Sequence, residues 1–198
     1  TRERGWELAG GWRARDTERE ATFLDHHLDG VDVRIAFTLA CRRRGLQLKW
    51  TDERELRRRD VVQRTRDRAG QTVTVIPDAY FTIASAGAMD GFALEVDRAT
   101  VSERRMRARF RAYGHWAAGG GYKKKLAAES FRVVLAVTDT RRDPGRLEHL
   151  KAWCEAERGG SLFWFLDRGA IESTNVLDDA VWLVAGQSGT RTVPLSGD

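Results

Sequence analysis

The sequence predicts an α/β fold, with a mixed central sheet flanked by helices. Three observations carry that expectation. Phe23, Leu24, His27, Leu28, Val31, Ile35, Leu39 and Leu46 recur at roughly helical spacing. Five later runs have the length and patterning of strands, at 46–50, 72–84, 91–98, 131–138 and 161–166. Helical stretches separate the later strands, the alternation that builds α/β layers.

Each element can be justified in order. Residues 1–16 hold Gly5, Trp6, Gly10, Gly11 and Trp12 and read as irregular or as a short strand. Thr17 and Glu20 make a capping box, so helix is expected from about Thr17 to Arg44, with Gly30 as an interruption and Gly45 as the stop. Leu46 to Trp50 alternates and predicts a strand. The charged stretch 51–68 predicts a short exposed helix or a loop. Residues 72–84 and 91–98 predict two strands joined by the turn SAGAMDG, a hairpin favoured by Gly87 and Gly91. Ser102 caps a helix running to about Ala117, with Met106, Phe110, Tyr113 and Ala117 on one face. FRVVLAVT at 131–138 and SLFWFL at 161–166 predict buried strands, with a helix between them that buries Leu147, Leu150 and Trp153. The C-terminal end predicts a short strand at Trp182 and a tail.

The 198 residues suffice for one sizeable core, and no repeat or linker divides them. The formal net charge is +5, and of 34 basic residues only Lys49, Lys123, Lys124, Lys125 and Lys151 are lysines. A genome rich in G and C explains the arginine count; the clustering is what points to phosphate. Cys41 and Cys154 lack ligand spacing, which argues against a structural zinc site and suits a reducing cytoplasm. No apolar run approaches the ~20 residues of a membrane span, so a cytoplasmic protein is expected. No phosphate-binding glycine loop, HExxH or GxSxG motif is present.

The segment 72–116 concentrates the chemistry. Asp78 lies in the first strand run, and Glu95 and Asp97 share one face of the second. Buried acids need a cationic partner. Two readings stay open: a Mg²⁺ or Mn²⁺ site formed by Asp78, Glu95 and Asp97, or a salt-bridge cluster with Arg98 and the following helix. That helix carries Arg104, Arg107 and Arg111 on the side away from Met106, with Arg105 and Arg109 flanking. With Arg98 and the loop lysines Lys123, Lys124 and Lys125 it forms a candidate nucleic-acid surface. His26 and His27 diverge by about 100° on their helix and cannot share one metal. His27 is expected to be packed and hydrogen-bonded. Trp6 and Trp12 are candidates for base stacking, though packing is the commoner role.

The element order helix, three strands, helix, strand resembles the αβββαβ core of the PD-(D/E)xK nuclease-like, or restriction-endonuclease-like, fold. The resemblance covers about 17–138, with 139–198 as a helix-strand extension. It puts the first acid at Asp78 and the second at Glu95. Where that pattern has lysine, this chain has Asp97, and Arg104 or Arg105 is the nearest replacement cation. A narrower set of residues, His26-x-Leu28, Asp32-Val33, the Trp50 strand, Pro77-Asp78-Ala79 and Leu94-Glu95-Val96-Asp97-Arg98-x-Thr100, is similar to the replication-relaxation family of bacterial plasmids and mobile elements. That resemblance implies a winged-helix segment ahead of this region, DNA as partner, and replication or relaxation as context, with other replication proteins as further partners.

Together these resemblances imply a DNA-binding, DNA-processing protein. As an enzyme it would be a metal-dependent DNA phosphodiesterase, an endonuclease or nickase. Asp78 and Glu95 would be its metal ligands, Asp97 a third ligand or water-orienting group, and Arg105 or Arg104 would steady the phosphate. His26 is within reach of such a site. The alternatives are a non-catalytic DNA-binding accessory on the same scaffold, or a module that meets an acidic protein partner.

Overall fold

A computed structural model describes residues 14–58, 63–66, 72–85, 87–120, 122–123, 127–173 and 175–196. Lys124, Lys125, Trp6 and Trp12 lie outside them. A long helix α1 (Ala14–Arg44) leads into strand β1 (Gln47–Asp52). Gly45 ends the helix at φ 67°, the left-handed cap that glycine adopts without strain, and the Leu46 N–H reaches back to the Cys41 carbonyl at 2.9 Å. A short helix α2 (Glu53–Arg58) follows. Strands β2 (Gln63–Arg66) and β3 (Thr72–Val75) then form an antiparallel ribbon of their own.

Strands β4 (Ala79–Ser85) and β5 (Ala88–Asp97) form a tight hairpin, and helix α3 (Glu103–Ala118) follows. Strand β6 (Ser130–Val137), helix α4 (Arg146–Ala156), strand β7 (Phe163–Asp167), helix α5 (Arg168–Ser173) and the short strands β8 (Trp182–Val184) and β9 (Thr190–Arg191) complete the chain. The main sheet is seven-stranded and mixed, in the order β1-β4-β5-β6-β7-β8-β9. The β5–β6 and β6–β7 pairs are parallel and the other pairs antiparallel.

Alternation along the strands makes two cores. Phe81, Phe92, Leu94, Val134 and Trp182 meet Val33 and Phe37 of α1 on one face. Val133, Leu135, Phe163 and Phe165 meet Met106 and Phe110 of α3 and Leu150 of α4 on the other. The expected α/β class with a mixed sheet therefore holds, and 139–198 extends the same sheet.

Several expectations change. α1 runs through Gly30 without a break. Its expected apolar stripe points outward: Phe23 is 71% exposed, and Leu24, Leu28, Val31, Ile35 and Leu39 are also exposed. The core stripe is Val33, Phe37, Ala40 and Cys41, one notch around the helix. The run 72–84 is two strands in two different sheets. Pro77 has no N–H to continue a ladder, and the chain changes sheets there. Within 51–68, β2 appears beside the short helix. The turn shrinks to the pair between Ser85 and Ala88, leaving Asp90 fully buried inside β5. There Asp90 accepts hydrogen bonds from Ser196, at 2.8 Å from both its N–H and hydroxyl, from Arg132 at 3.1 Å, and from Ser130. Burial raises the Asp90 carboxyl, but these donors win and its pKa falls below the usual range. Gly91 is required next to it: a Cβ would stand 2.5 Å from the Tyr80 hydroxyl and 2.8 Å from the Ala128 Cβ.

Candidate functional site

The acids gather where β4 begins and β5 ends. Asp78 directly precedes β4. Its N–H donates to the Leu94 carbonyl at 2.9 Å and its carbonyl accepts from Glu53 N–H at 3.0 Å, so the backbone is fixed on both sides. The register pairs Ala79 with Leu94, which sets Asp78 opposite Glu95 on one face of the sheet. Asp78 Oδ2 accepts the Val96 N–H at 2.7 Å. His26 of α1 reaches over the sheet end to bring Nε2 within 3.2 Å of Asp78 Oδ1. That hydrogen bond raises the His26 pKa, against the opposing effect of burial. His27, expected to be packed, is exposed; its neighbour holds the partner.

Glu95 is 2% exposed. Arg109 Nη1 and the Tyr113 hydroxyl, one turn apart on α3, each donate to one of its oxygens at 2.5 Å. Burial pushes the Glu95 carboxyl up to about 7; Asp78 adds to the rise, while Arg109, Tyr113 and His26 oppose it. The Tyr113 hydroxyl is itself raised well above its usual range by burial and by Glu95. Burial thus favours the protonated Glu95 carboxyl, while its donors on α3 favour the carboxylate.

Asp97 is held differently. Arg146, at the start of α4, grips it through Nε at 2.6 Å and Nη2 at 2.9 Å, and Nη2 also donates to the Val101 carbonyl at 2.8 Å. Both side chains are almost wholly buried. The expected convergence of three acids is therefore two acids, Asp78 and Glu95, with Asp97 turned to another helix. Among the described residues no three His, Cys, Asp or Glu side chains are grouped to hold a metal ion. As arranged, these carboxylates do not fit a divalent cation, because Glu95 and Asp97 have both oxygens engaged by protein donors.

The arginines also sort differently from the sequence expectation. Arg98 points to the opposite face, as alternation requires. It is not at an open surface: 11% of its side chain is exposed, and it pairs with Asp29, with Asp25 at 3.0 Å and with Asp139 at 3.4 Å. Asp29, missed in the sequence, is a buried hub that also accepts from Thr138 Oγ1 at 2.7 Å and Arg168 Nη1 at 3.1 Å. Arg107 and Arg111 converge on Glu157, at 2.7 and 2.9 Å, and Arg107 also pairs with Glu103 at 3.0 Å. Glu157 lies 46 to 50 residues away in sequence, beyond the reach of helical spacing. Arg104 and Arg105 are exposed with no partner among the described residues, and Lys123 is exposed. In the sequence Arg109 stands out only as flanking the basic face and Tyr113 only as a core position, and nothing there marks Arg146. The i,i+4 pair Arg109/Tyr113 was the signal available for the first two.

No helix among the described residues is long and apolar enough to cross a membrane. A family model described as replication-relaxation matches residues 6–133, from before α1 into β6. Comparison with curated proteins and with solved structures gives no match.

Proposed function

The chain belongs to the replication-relaxation family, and on that premise we propose that it binds DNA in the replication or relaxation of a plasmid or mobile element, as an accessory that does not cut the strand. The observation that carries this reading is the occupancy of the acids. Glu95 is spent on Arg109 and Tyr113, and Asp97 on Arg146. The net charge of +5 and the exposed Arg104 and Arg105, without partners among the described residues, supply attraction for phosphate. Electrophoretic mobility shift across a salt series tests it. Affinity should fall steeply with salt and be the same in EDTA as in Mn²⁺, and supercoiled plasmid should stay uncut. Salt-indifferent behaviour or no binding at all would favour a protein partner instead.

A second reading is a Mg²⁺- or Mn²⁺-dependent DNA phosphodiesterase on a PD-(D/E)xK-like scaffold. The order helix, antiparallel β1-β4-β5, helix, parallel β6 supports it, as does the juxtaposition of Asp78 and Glu95 with His26. It needs Glu95 to give up both of its α3 partners. Thermal unfolding separates the readings. A bound cation at a hundredfold excess over its dissociation constant adds about 2.7 kcal/mol, so millimolar Mn²⁺ should raise the wild-type midpoint under this reading and leave it unmoved under the first.

A further inference from the structure

The two sides of α3 are not equivalent. On one, Arg107 and Arg111 are paired with Glu157, and Arg107 also with Glu103. On the other, Arg105 and Arg109 stand one turn apart over a recess of about 330 Å³ between α3 and β3. Thr74 from β3 and Thr100 from the β5–α3 turn add hydroxyls, and Val75 and Val101 form apolar walls. Among the described residues no acid lines the recess. Glu95 lies behind Arg109 and uses only Nη1, while 39% of the Arg109 side chain remains exposed. α3 itself begins after Ser102, whose side chain makes no capping hydrogen bond. The first N–H groups of this 16-residue helix are left without that cap. Two planar guanidinium forks and two hydroxyls in a recess with apolar walls suit a tetrahedral oxyanion.

We propose that this recess is a phosphate-binding pocket that seats one phosphodiester of the DNA backbone between Arg105 and Arg109. The proposal rests on the DNA-binding reading above and moves the contact from the Arg104/Arg107/Arg111 side of α3 to the opposite flank. Arg105 supplies an exposed guanidinium with no partner among the described residues. Arg109 is pre-positioned by Glu95 and presents its remaining N–H groups. One phosphate so fixed sets the register of the duplex on the protein without reading bases.

Fluorescence anisotropy with a labelled DNA duplex tests this, using Arg105→Glu and a charge-matched control, Arg191→Glu, on the exposed edge strand β9. Arg105→Glu should weaken binding roughly tenfold, as a charge-assisted contact becomes repulsive, and lower the log–log salt slope by about one unit. Arg191→Glu should change affinity less than about twofold. Equal losses in both variants would overturn the pocket and leave the DNA-binding reading standing. If the wild type does not bind DNA, that reading fails, and inorganic phosphate followed by NMR decides the pocket. Shifts of the Arg105 Nε–H and the Thr100 amide would sustain it as a site for a free phosphate group, and their absence would overturn it. The milder Thr100→Val variant, which keeps both arginines and the Glu95 contact, should weaken DNA binding in the same direction, and an unchanged affinity there would count against the hydroxyl's part.

Discussion

Glu95 and Asp97 stand two residues apart on one face of one strand, yet they live in different chemistry. Asp97 faces Arg146 in a bidentate grip that is closed to solvent and secured by the Val101 carbonyl. Glu95 divides its oxygens between a tyrosine and an arginine whose far side is open. The strand puts both acids on the same face, but the helix above each decides its role. Under α4, Asp97 becomes a structural pair. Under α3, Glu95 positions a cation that still meets solvent.

The largest effect expected from this contrast is on the closed pair. Arg146→Ala strands a buried carboxylate and should cost about 3–5 kcal/mol of stability, read as a lower urea midpoint. Adding Asp97→Ala should restore part of the loss, since the stranded charge goes with it. A single-variant cost near zero would mean that Asp97 is not dependent on its partner.

The open pair should show itself in pH. A carboxyl whose folded pKa is raised, here to about 7, lets the folded state hold a proton that the unfolded state has released. Its contribution is full below the unfolded value near 4.5 and is lost as pH rises towards 7. The wild type should therefore lose up to about 3 kcal/mol across that window. Glu95→Gln should flatten it. His26, also raised, contributes with the same sign at higher pH: its share is present below 6.5 and lost as pH climbs through its folded value. His26→Gln should remove only that later part. Chemical denaturation across pH 4 to 8.5 reads both, and an unchanged slope in Glu95→Gln would remove Glu95 as its source.

The smallest effect belongs to the salt-bridged flank of α3. Arg107 and Arg111 are each about one-third exposed, and pairs of that kind contribute roughly 0–1 kcal/mol. Arg107→Ala with Arg111→Ala should lower stability by about 1 kcal/mol at most and weaken DNA binding less than Arg105→Glu does. A larger loss of DNA affinity than that of Arg105→Glu would return the contact to the flank that the sequence first suggested.

Much of this was legible from residue order, because periodicity and alternation are local properties. The strands at 91–98 and 131–138, the helix after Ser102, and the opposed faces of Glu95 and Arg98 all follow from spacing. Two kinds of fact did not. The face of α1 was unreadable because the helix carries two apolar stripes, and only contact with the sheet selects Val33 and Phe37 over Leu28 and Ile35. The partners of the acids were unreadable because Arg146 lies 49 positions from Asp97, Glu157 lies 50 from Arg107, and Asp29 lies 69 to 139 from the residues it meets. Spacing alone places Arg107 and Arg111 on a candidate nucleic-acid surface; the fold brings Glu157 to them. Pro77 was visible, but its effect, a change of sheet just before Asp78, depends on the ribbon that β3 forms with β2.

The order of strands in the main sheet has a consequence for how the chain assembles. β1, β4, β5, β6, β7, β8 and β9 stand side by side in the order in which they are synthesised, with the β2–β3 ribbon as a side excursion. A polypeptide emerging N-terminus first meets each pairing partner already made, and no strand has to be threaded between two that are already joined. The sheet can grow at a single advancing edge, at the pace of translation, with one unpaired strand exposed at a time.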